Sequence, residues 1–331
     1  MFPEAAESSD MTAGKEELGV ERSQSIAVLI PCYNEALTVA KVVEGFRSAL
    51  PDAVIYVYDN NSSDGTAEIA RRAGAIVRRE NRQGKGYVIQ SMFRDIDADF
   101  YVMADGDGTY PPEQVELVLE PLRRGDADMV VGNRLQEFTN QSFRPLHVFG
   151  NKLVVGTINL LFGAKLKDVM SGYRAFGRRF VRELPFVSRG FEVETEMTLQ
   201  ALDRRLVIVE VEVPYGSRPA GSHSKLSTFR DGFRVLLKLF NILKAYRPLL
   251  FFGGLGLAIC LLGLLIGIVP ITEYLETGLV KRFPTAILAA SIEIVGIVFG
   301  LAGIILDSLN QHFRELSAQT VKLLARPADQ T

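Results

Sequence analysis

The chain has no tryptophan, two cysteines and three histidines among 331 residues. Cys32 and Cys260 are too few for a disulfide scaffold or a cysteine-only zinc site. His147, His223 and His312 leave little for a mixed site and show no ligand spacing. Charge of either sign is not in excess: 37 Lys+Arg stand against 39 Asp+Glu, a net −2, which gives no case for a general nucleic-acid binder. The glycine signatures of phosphate binding are missing too. No G-x-G-x-x-G follows the first apolar run, and no G-x-x-x-x-G-K-[ST] occurs anywhere. Residues 1–24 lack an apolar run, so they are not a secretory signal; their Glu, Ser, Ala and Gly content predicts a disordered leader.

From Ser25 onward short apolar runs alternate with helical patterns. SIAVLIP, AVIYVYD, AIVRR, FYVMAD and DMVVGNR read as buried strands. Helical patterns lie between them, near 36–50, at AEIARRAG, over 86–96 and at PPEQVELVLEPLRR, whose prolines open the helix. Such alternation predicts an α/β domain with a mostly parallel sheet covered on both faces. Residues 135–225 are less regular, hold an expected strand pair around VIVEVEVPY, and are assigned to the acceptor half of one catalytic domain, 25–225.

The C-terminal third is different. Residues 226–248 alternate aromatic and aliphatic residues with Arg230, Arg234, Lys238 and Lys244, the pattern of an interfacial helix. Residues 249–270 carry no charge and suffice to cross roughly 30 Å of hydrocarbon. A second span, 286–306, contains only Glu293 as a charge, which predicts a partner helix for that carboxyl and allows a homo-oligomer. The hairpin 249–306 returns the chain to the starting side, where 307–331 form a tail. Basic residues flank the hairpin (Lys244, Arg247, Arg314, Lys322, Arg326) more densely than its link (Lys281, Arg282), so the catalytic domain and both termini are expected on the cytoplasmic face of the plasma (inner) membrane.

Polar clusters fall at the carboxyl ends of strands, where α/β sheets place function. Asp105-Gly-Asp107 follows FYVM, and two carboxylates at i and i+2 suit a divalent cation shared with substrate phosphates. An EF-hand is excluded because Tyr110 stands where the loop requires glycine, and Pro111 and Pro112 follow. IPCYNE (30–35) and DNNSSDGT (59–66) supply edge donors and acceptors, with Asp59 placed to accept from a ribose hydroxyl or a base N–H. Lys85, between Gly84 and Gly86, is a candidate for diphosphate charge or a solvated loop lysine. Glu192, Glu194 and Glu196 in GFEVETEM share a face if the segment is a strand and diverge if it is a helix.

IPCYNE, DNNSSDGT, DGDGTYPPE, GNR, DVMSGYR and RPAGSHSKL, in this order and followed by two spans, resemble the family-two glycosyltransferases of the GT-A fold. Within them the chain is similar to the membrane-bound polyprenyl-phosphate, dolichol-phosphate mannosyltransferase-like branch over roughly 25–310. The resemblance implies inverting transfer of a sugar from a UDP- or GDP-sugar to a polyprenyl phosphate at the bilayer. It implies Pro31, Tyr33, Asn34, Glu35 and Asp59 at the nucleotide, and Asp105 and Asp107 on Mg²⁺ or Mn²⁺. It further implies Arg134 at phosphate or sugar, Asp168, Ser171, Gly172 and Arg174 as the acceptor-side motif, and Ser171, Arg174, Arg218, Ser224 and Lys225 on the acceptor phosphate. Three positions depart from the family pattern: Asn60-Asn61 stand where many relatives have Asp-Gly, and Thr109 where many have Gln. The Gln-x-x-Arg-Trp motif of processive synthases cannot exist in a chain without tryptophan.

A phosphate monoester is largely dianionic at neutral pH and is already a nucleophile, so the expected role of Asp168 is to orient groups, with a base role second. Another lipid acceptor, or a non-catalytic nucleotide-sugar-binding subunit, are the rival readings.

Overall fold

The computed structural model describes residues 24–134, 145–184, 193–214, 216, 237 and 240–324. Residues 1–23 of the leader, Arg218, Ser224, Lys225 and most of the expected interfacial helix lie outside the described residues.

Seven strands form one sheet in the order β3-β2-β1-β4-β6-β5-β7. They are β1 (Ile26–Cys32), β2 (Val54–Asp59), β3 (Ile76–Arg79), β4 (Phe100–Met103), β5 (Met129–Asn133), β6 (Arg174–Gly177) and β7 (Ile208–Glu212). All neighbours pair in parallel except β6, which runs antiparallel to both β4 and β5. The expected strand pair around VIVEVEVPY is one strand, β7, whose partner is β5 and not a second local strand.

The period-two alternation of the strands supplies two cores. Val28, Ile30, Val102, Val130 and Ala175 face α1 (Val39–Ala49) and α4 (Val115–Arg123). Leu29, Tyr101, Met103, Val131 and Phe176 face α3 (Lys85–Asp95) and α7 (Val193–Asp203). Burial on both faces is why these strands read as unbroken apolar runs. A 3₁₀ turn, Pro112–Gln114, opens α4, so Pro111 and Pro112 sit where their missing N–H groups cost nothing, whereas Pro121 lies inside the helix. Helices α2 (Thr66–Arg72), α5 (Pro145–Phe162) and α6 (Arg178–Glu183) complete the domain.

The antiparallel strand places the site. The turn that precedes β6 comes out at the same sheet edge as the carboxyl ends of β1, β2, β4 and β5. The turn therefore brings Gly172 against Asp105 and Ser171 beside Tyr110, although about sixty positions separate them.

A short helix over 240–246 (α8) seats Ile242 on Val154, Ile158, Val169 and Leu199. Arg247 donates to the Leu161 carbonyl at 2.7 Å and lies over the Phe162 ring. A π-helical turn, Leu249–Gly253, leads into α9 (Gly254–Thr277), and α10 runs unbroken over Phe283–Leu324. Leu249–Thr277 and Phe283–Leu316 are long and apolar enough to cross a membrane. At 42 residues α10 is about 63 Å long, roughly twice the hydrocarbon thickness. Helix therefore continues through residues 307–324 of the expected tail. Arg314 on it pairs with Asp203 of α7 at 2.9 Å, and Asn310 donates to the Ala245 carbonyl at 2.7 Å. The second span is thus tied directly to the catalytic domain.

The two long helices touch through glycine. A Cβ on Gly256 would come within 2.6 Å of the Gly296 carbonyl oxygen, and one on Gly296 within 2.9 Å of the Gly256 carbonyl oxygen. Such close backbone approach is how membrane helices pack when both are surrounded by apolar lipid. Gly296→Leu is therefore expected to lower thermal stability in detergent by about 1–3 kcal/mol through overpacking. Gly254→Leu, at a position open to its surroundings, leaves the melting temperature unchanged. Equal shifts for the two variants contradict the contact.

Candidate active site

The loops after β1 and β2 lock into one another. Asn34 accepts from the Ser63 N–H at 2.9 Å, and its own N–H donates to Ser62 Oγ at 2.9 Å. The Glu35 N–H donates to Thr66 Oγ1 and the Ala36 N–H to Asp64. Burial alone would raise the Asp64 carboxyl, but hydrogen bonds from Thr66 and Ala36 outweigh it and hold it below its ordinary value. Pro31, Tyr33, Asn34, Glu35 and Asp59 thus share one edge. Asp59 ends β2, opposite Cys32 of β1, and is buried with the Ser62 N–H on its carboxylate.

The departures at 60 and 61 have a local cause. Asn60 donates to the Glu80 and Arg82 carbonyls and accepts from the Gly84 N–H at 2.8 Å, which fixes the corner where α3 begins. Asn61 sits at φ 64°, the left-handed region that Gly and Asn tolerate best. Its side chain bonds to the Asn81 carbonyl, contacts that glycine cannot make. Glu80 completes the corner by accepting from Arg82 and Ser91.

Asp107 is buried, and its Oδ1 accepts from the Thr109 hydroxyl at 2.6 Å and the Thr109 N–H at 3.1 Å. The Thr that replaces Gln therefore orients the second carboxylate. Asp105 keeps 28% of its side chain exposed and packs against Gly172, where a Cβ would collide with its carboxylate. Lys85, the first residue of α3, places Nζ 2.5 Å from Asp105 Oδ1 and 2.5 Å from Glu194 Oε1. Burial would lower the Lys85 ammonium, but the two carboxylates outweigh it and raise its pKa. GFEVETEM is helical from Val193, so its carboxylates diverge: Glu194 turns in to Lys85 and Glu196 accepts from Gln200. Glu192 lies outside the described residues. Glu194 was one of three equivalent glutamates in the sequence, and only the helical phase singles it out.

Asp168 is 1% exposed and takes a bidentate pair from Arg134, at 2.8 and 3.2 Å, with the Met170 N–H on Oδ1. Burial raises its carboxyl, yet Arg134 and the backbone bond outweigh that and lower the pKa. A carboxylate held this way orients a guanidinium and is a poor base near pH 7.

Ser171 and Arg174, expected at the acceptor phosphate, lie inside the fold. Both have no exposed surface. Arg174 donates to the Val169 and Ser171 carbonyls at 2.8 Å and to Thr198 Oγ1 at 2.9 Å. Its guanidinium is spent inside the fold, where burial lowers its pKa to about 10 and still leaves it charged. Ser171 Oγ lies 3.4 Å from the Tyr110 hydroxyl, which also accepts from the Gly172 N–H at 2.9 Å. Tyr110, outside the expected set, is thus the strut between the carboxylate loop and the turn before β6.

The donor set fits a divalent cation bound with substrate. Among the described residues no group of three or more His, Cys, Asp or Glu side chains is arranged to hold a metal. Asp105 and Asp107 therefore form a two-carboxylate edge, the kind that takes a hard cation together with phosphate oxygens.

A mostly parallel sheet with one antiparallel strand, and a carboxylate pair at its carboxyl edge, is the architecture of the GT-A class. Residues 27–184 match the glycosyl transferase family 2 profile. The chain is 32% identical over 299 residues to the glycosyltransferase AglJ of Haloferax volcanii, across 90% of this chain and 96% of that protein. It is 28% identical over 227 residues to the undecaprenyl-phosphate mannosyltransferase of Micrococcus luteus, across 61% and 87% of the two chains. The fold is also that of Mycobacterium tuberculosis glucosyl-3-phosphoglycerate synthase in complex with Mn²⁺ and UDP-glucose. That likeness has a TM-score of 0.54 at 23% identity and covers 67% of this chain and 79% of the other. The chain belongs to glycosyl transferase family 2, in the branch its motifs resemble, and is a glycosyltransferase.

Two outcomes follow from the geometry. Gly172→Ala displaces the Asp105 carboxylate and is expected to cut turnover at least about tenfold while leaving the fold intact. Wild-type turnover in that variant contradicts the packing. Arg82 holds the Glu80 carboxyl from its ordinary 4.5 down to about 2. The folded value is the lower one, so the stabilisation is complete above pH 4.5 and is lost as pH falls toward 2. In acid unfolding followed by circular dichroism, Glu80→Gln should flatten the stability loss in that window. An unchanged profile removes Glu80 from the account.

Proposed function

We propose that the protein transfers one sugar from a nucleotide-sugar, UDP- or GDP-linked, to a polyprenyl phosphate, with inversion at the anomeric carbon. The observation that carries this reading is the Arg134–Asp168 pair. The side chain most available as a base is locked in a bidentate ion pair with its pKa lowered. A site built so favours an acceptor that needs no deprotonation, and a phosphate monoester with a second pKa near about 6 is such an acceptor. The name of the Micrococcus luteus relative supports it, since that protein acts on undecaprenyl phosphate.

In the step, an oxygen of the acceptor phosphate attacks the anomeric carbon from the face opposite the diphosphate. The bond from that carbon to the diphosphate oxygen breaks, and the nucleoside diphosphate leaves with the electron pair. No proton moves. Asp59 and the 33–35 segment hold the nucleoside, and Arg134, oriented by Asp168, meets the acceptor phosphate or the sugar. Lys85 lies beside the diphosphate position and contributes positive charge. Asp105 and Asp107 would hold a divalent cation, Mg²⁺ or Mn²⁺, which would supply positive charge against the departing diphosphate. The complex of the Mycobacterium tuberculosis synthase with Mn²⁺ supports that assignment.

The lipid tail stays in the bilayer while its phosphate meets the domain edge. Arg218, Ser224 and Lys225 precede the first span and are proposed to hold that phosphate at headgroup depth. Two helices long enough to cross a membrane, with the denser basic flanks outside the hairpin, support a domain and both termini on the cytoplasmic side of the plasma (inner) membrane.

Asp107→Ala is expected to reduce metal-dependent transfer at least about a hundredfold, read as radiolabelled lipid product. Unchanged lipid glycosylation sinks the metal assignment. Asp168→Asn should slow transfer by roughly tenfold and add no ionisation to the pH–rate profile between about pH 6 and 9. Complete loss in a folded variant points instead to a working base and a hydroxyl acceptor.

A further inference from the structure

We propose that Lys85 is an internal counter-cation that keeps Asp105 closed to a divalent ion until a nucleoside diphosphate arrives. This rests on the reading that Asp105 and Asp107 hold the metal. Lys85 Nζ lies 2.5 Å from Asp105 Oδ1 and 2.5 Å from Glu194 Oε1, and 11% of the side chain is exposed. The ammonium therefore occupies the space in front of Asp105 that a cation on that oxygen would need. Two cations on one carboxylate oxygen repel each other at short range, so a divalent ion must displace Lys85 or bind elsewhere.

The chain anchors one end of this lysine and frees the other. Asn60 accepts from the Gly84 N–H at 2.8 Å, which holds the start of α3. The four-carbon stem beyond it carries a point charge with rotatable donors. A diphosphate at the strand edge offers that ammonium a stronger acceptor than one carboxylate oxygen. Lys85 then exchanges Asp105 for phosphate while Glu194 holds its other side. Asp105 is released when a ligand able to complete the metal's shell is present, which the two-carboxylate donor set also requires. Glu194 acts through Lys85 and is a positioning residue. Metal and nucleotide must then bind with reciprocal positive coupling.

The test is Mn²⁺ binding to the full-length protein in detergent, read by electron paramagnetic resonance, alone and with saturating UDP or GDP. Wild type should bind Mn²⁺ weakly alone and at least about tenfold more tightly with one of the nucleotides. Lys85→Met should bind nucleotide-free Mn²⁺ at least about tenfold more tightly than wild type, with the coupling reduced. Lys85→Gln, which retains a neutral donor to both carboxylates, should do the same and covers any folding defect of the first variant. Lys85→Arg keeps the charge and should stay weak. Adding Asp107→Ala to Lys85→Met should erase the gain. Folded Met and Gln variants with wild-type Mn²⁺ affinity overturn the inference, because Lys85 is then a fixed structural bridge. Wild type that binds no Mn²⁺ even with nucleotide overturns the metal reading itself.

Discussion

A guanidinium with no exposed surface holds the two halves of the site in register. Arg174 opens the antiparallel strand and reaches back to the Val169 and Ser171 carbonyls and across to Thr198 of α7. A buried charge is tolerated only when its donors are satisfied, and a hydrogen bond to a charged group is typically worth about 1.5–3 kcal/mol. Because these donors are met by the 168–172 turn, the turn has one shape. Gly172 then packs against Asp105, and Asp168 faces Arg134. Through Thr198 the same guanidinium sets the position of α7, and so of Glu194 against Lys85. The contacts that make the edge a site depend on this buried cation.

The membrane segment bears on the same element. Asp203 at the end of α7 pairs with Arg314 on the extension of the second long helix. Ile242 of α8 packs on Leu199 of α7 and on Val169 of the turn. One helix thus touches the carboxylate edge at its start and the membrane stem at its end. Partly exposed pairs such as Arg314–Asp203 contribute about 0–1 kcal/mol each, and the buried Ile242 and the Phe162–Tyr246 ring contact add apolar packing beside it. The geometry suits an acceptor whose reacting phosphate and anchoring tail are fixed to the same molecule.

The parallel part of the sheet was legible because strands buried on both faces are written as continuous apolar runs punctuated by polar turns. The strand β6 was not. RAFG is four residues long and its pairing to β4 and β5 is non-local, so no window of sequence contains the reason it is a strand. The pair Asp105–Asp107 and the loops at Asn34 and Asp59 were legible from position alone, at strand ends. The buried role of Arg174 was not legible, because an arginine in a polar motif reads as a phosphate ligand and burial is a property of the surrounding fold. Lys85 and Glu194 stand 109 positions apart. Their link depends on a helical phase that GFEVETEM left open. Asn61 looked like a departure from the family pattern and proved to answer the same constraint as glycine, a positive φ, with an added side-chain bond.

The central claim is that the acceptor is a lipid phosphate. The most direct measurement incubates purified protein in detergent with Mg²⁺ or Mn²⁺ and a panel of UDP- and GDP-sugars. Undecaprenyl phosphate, undecaprenol and diacylglycerol serve as alternative acceptors, with products identified by mass spectrometry. The expected result is one sugar added to undecaprenyl phosphate from one donor, and no product on either lipid alcohol. A glycosylated alcohol with the phosphate lipid untouched contradicts it.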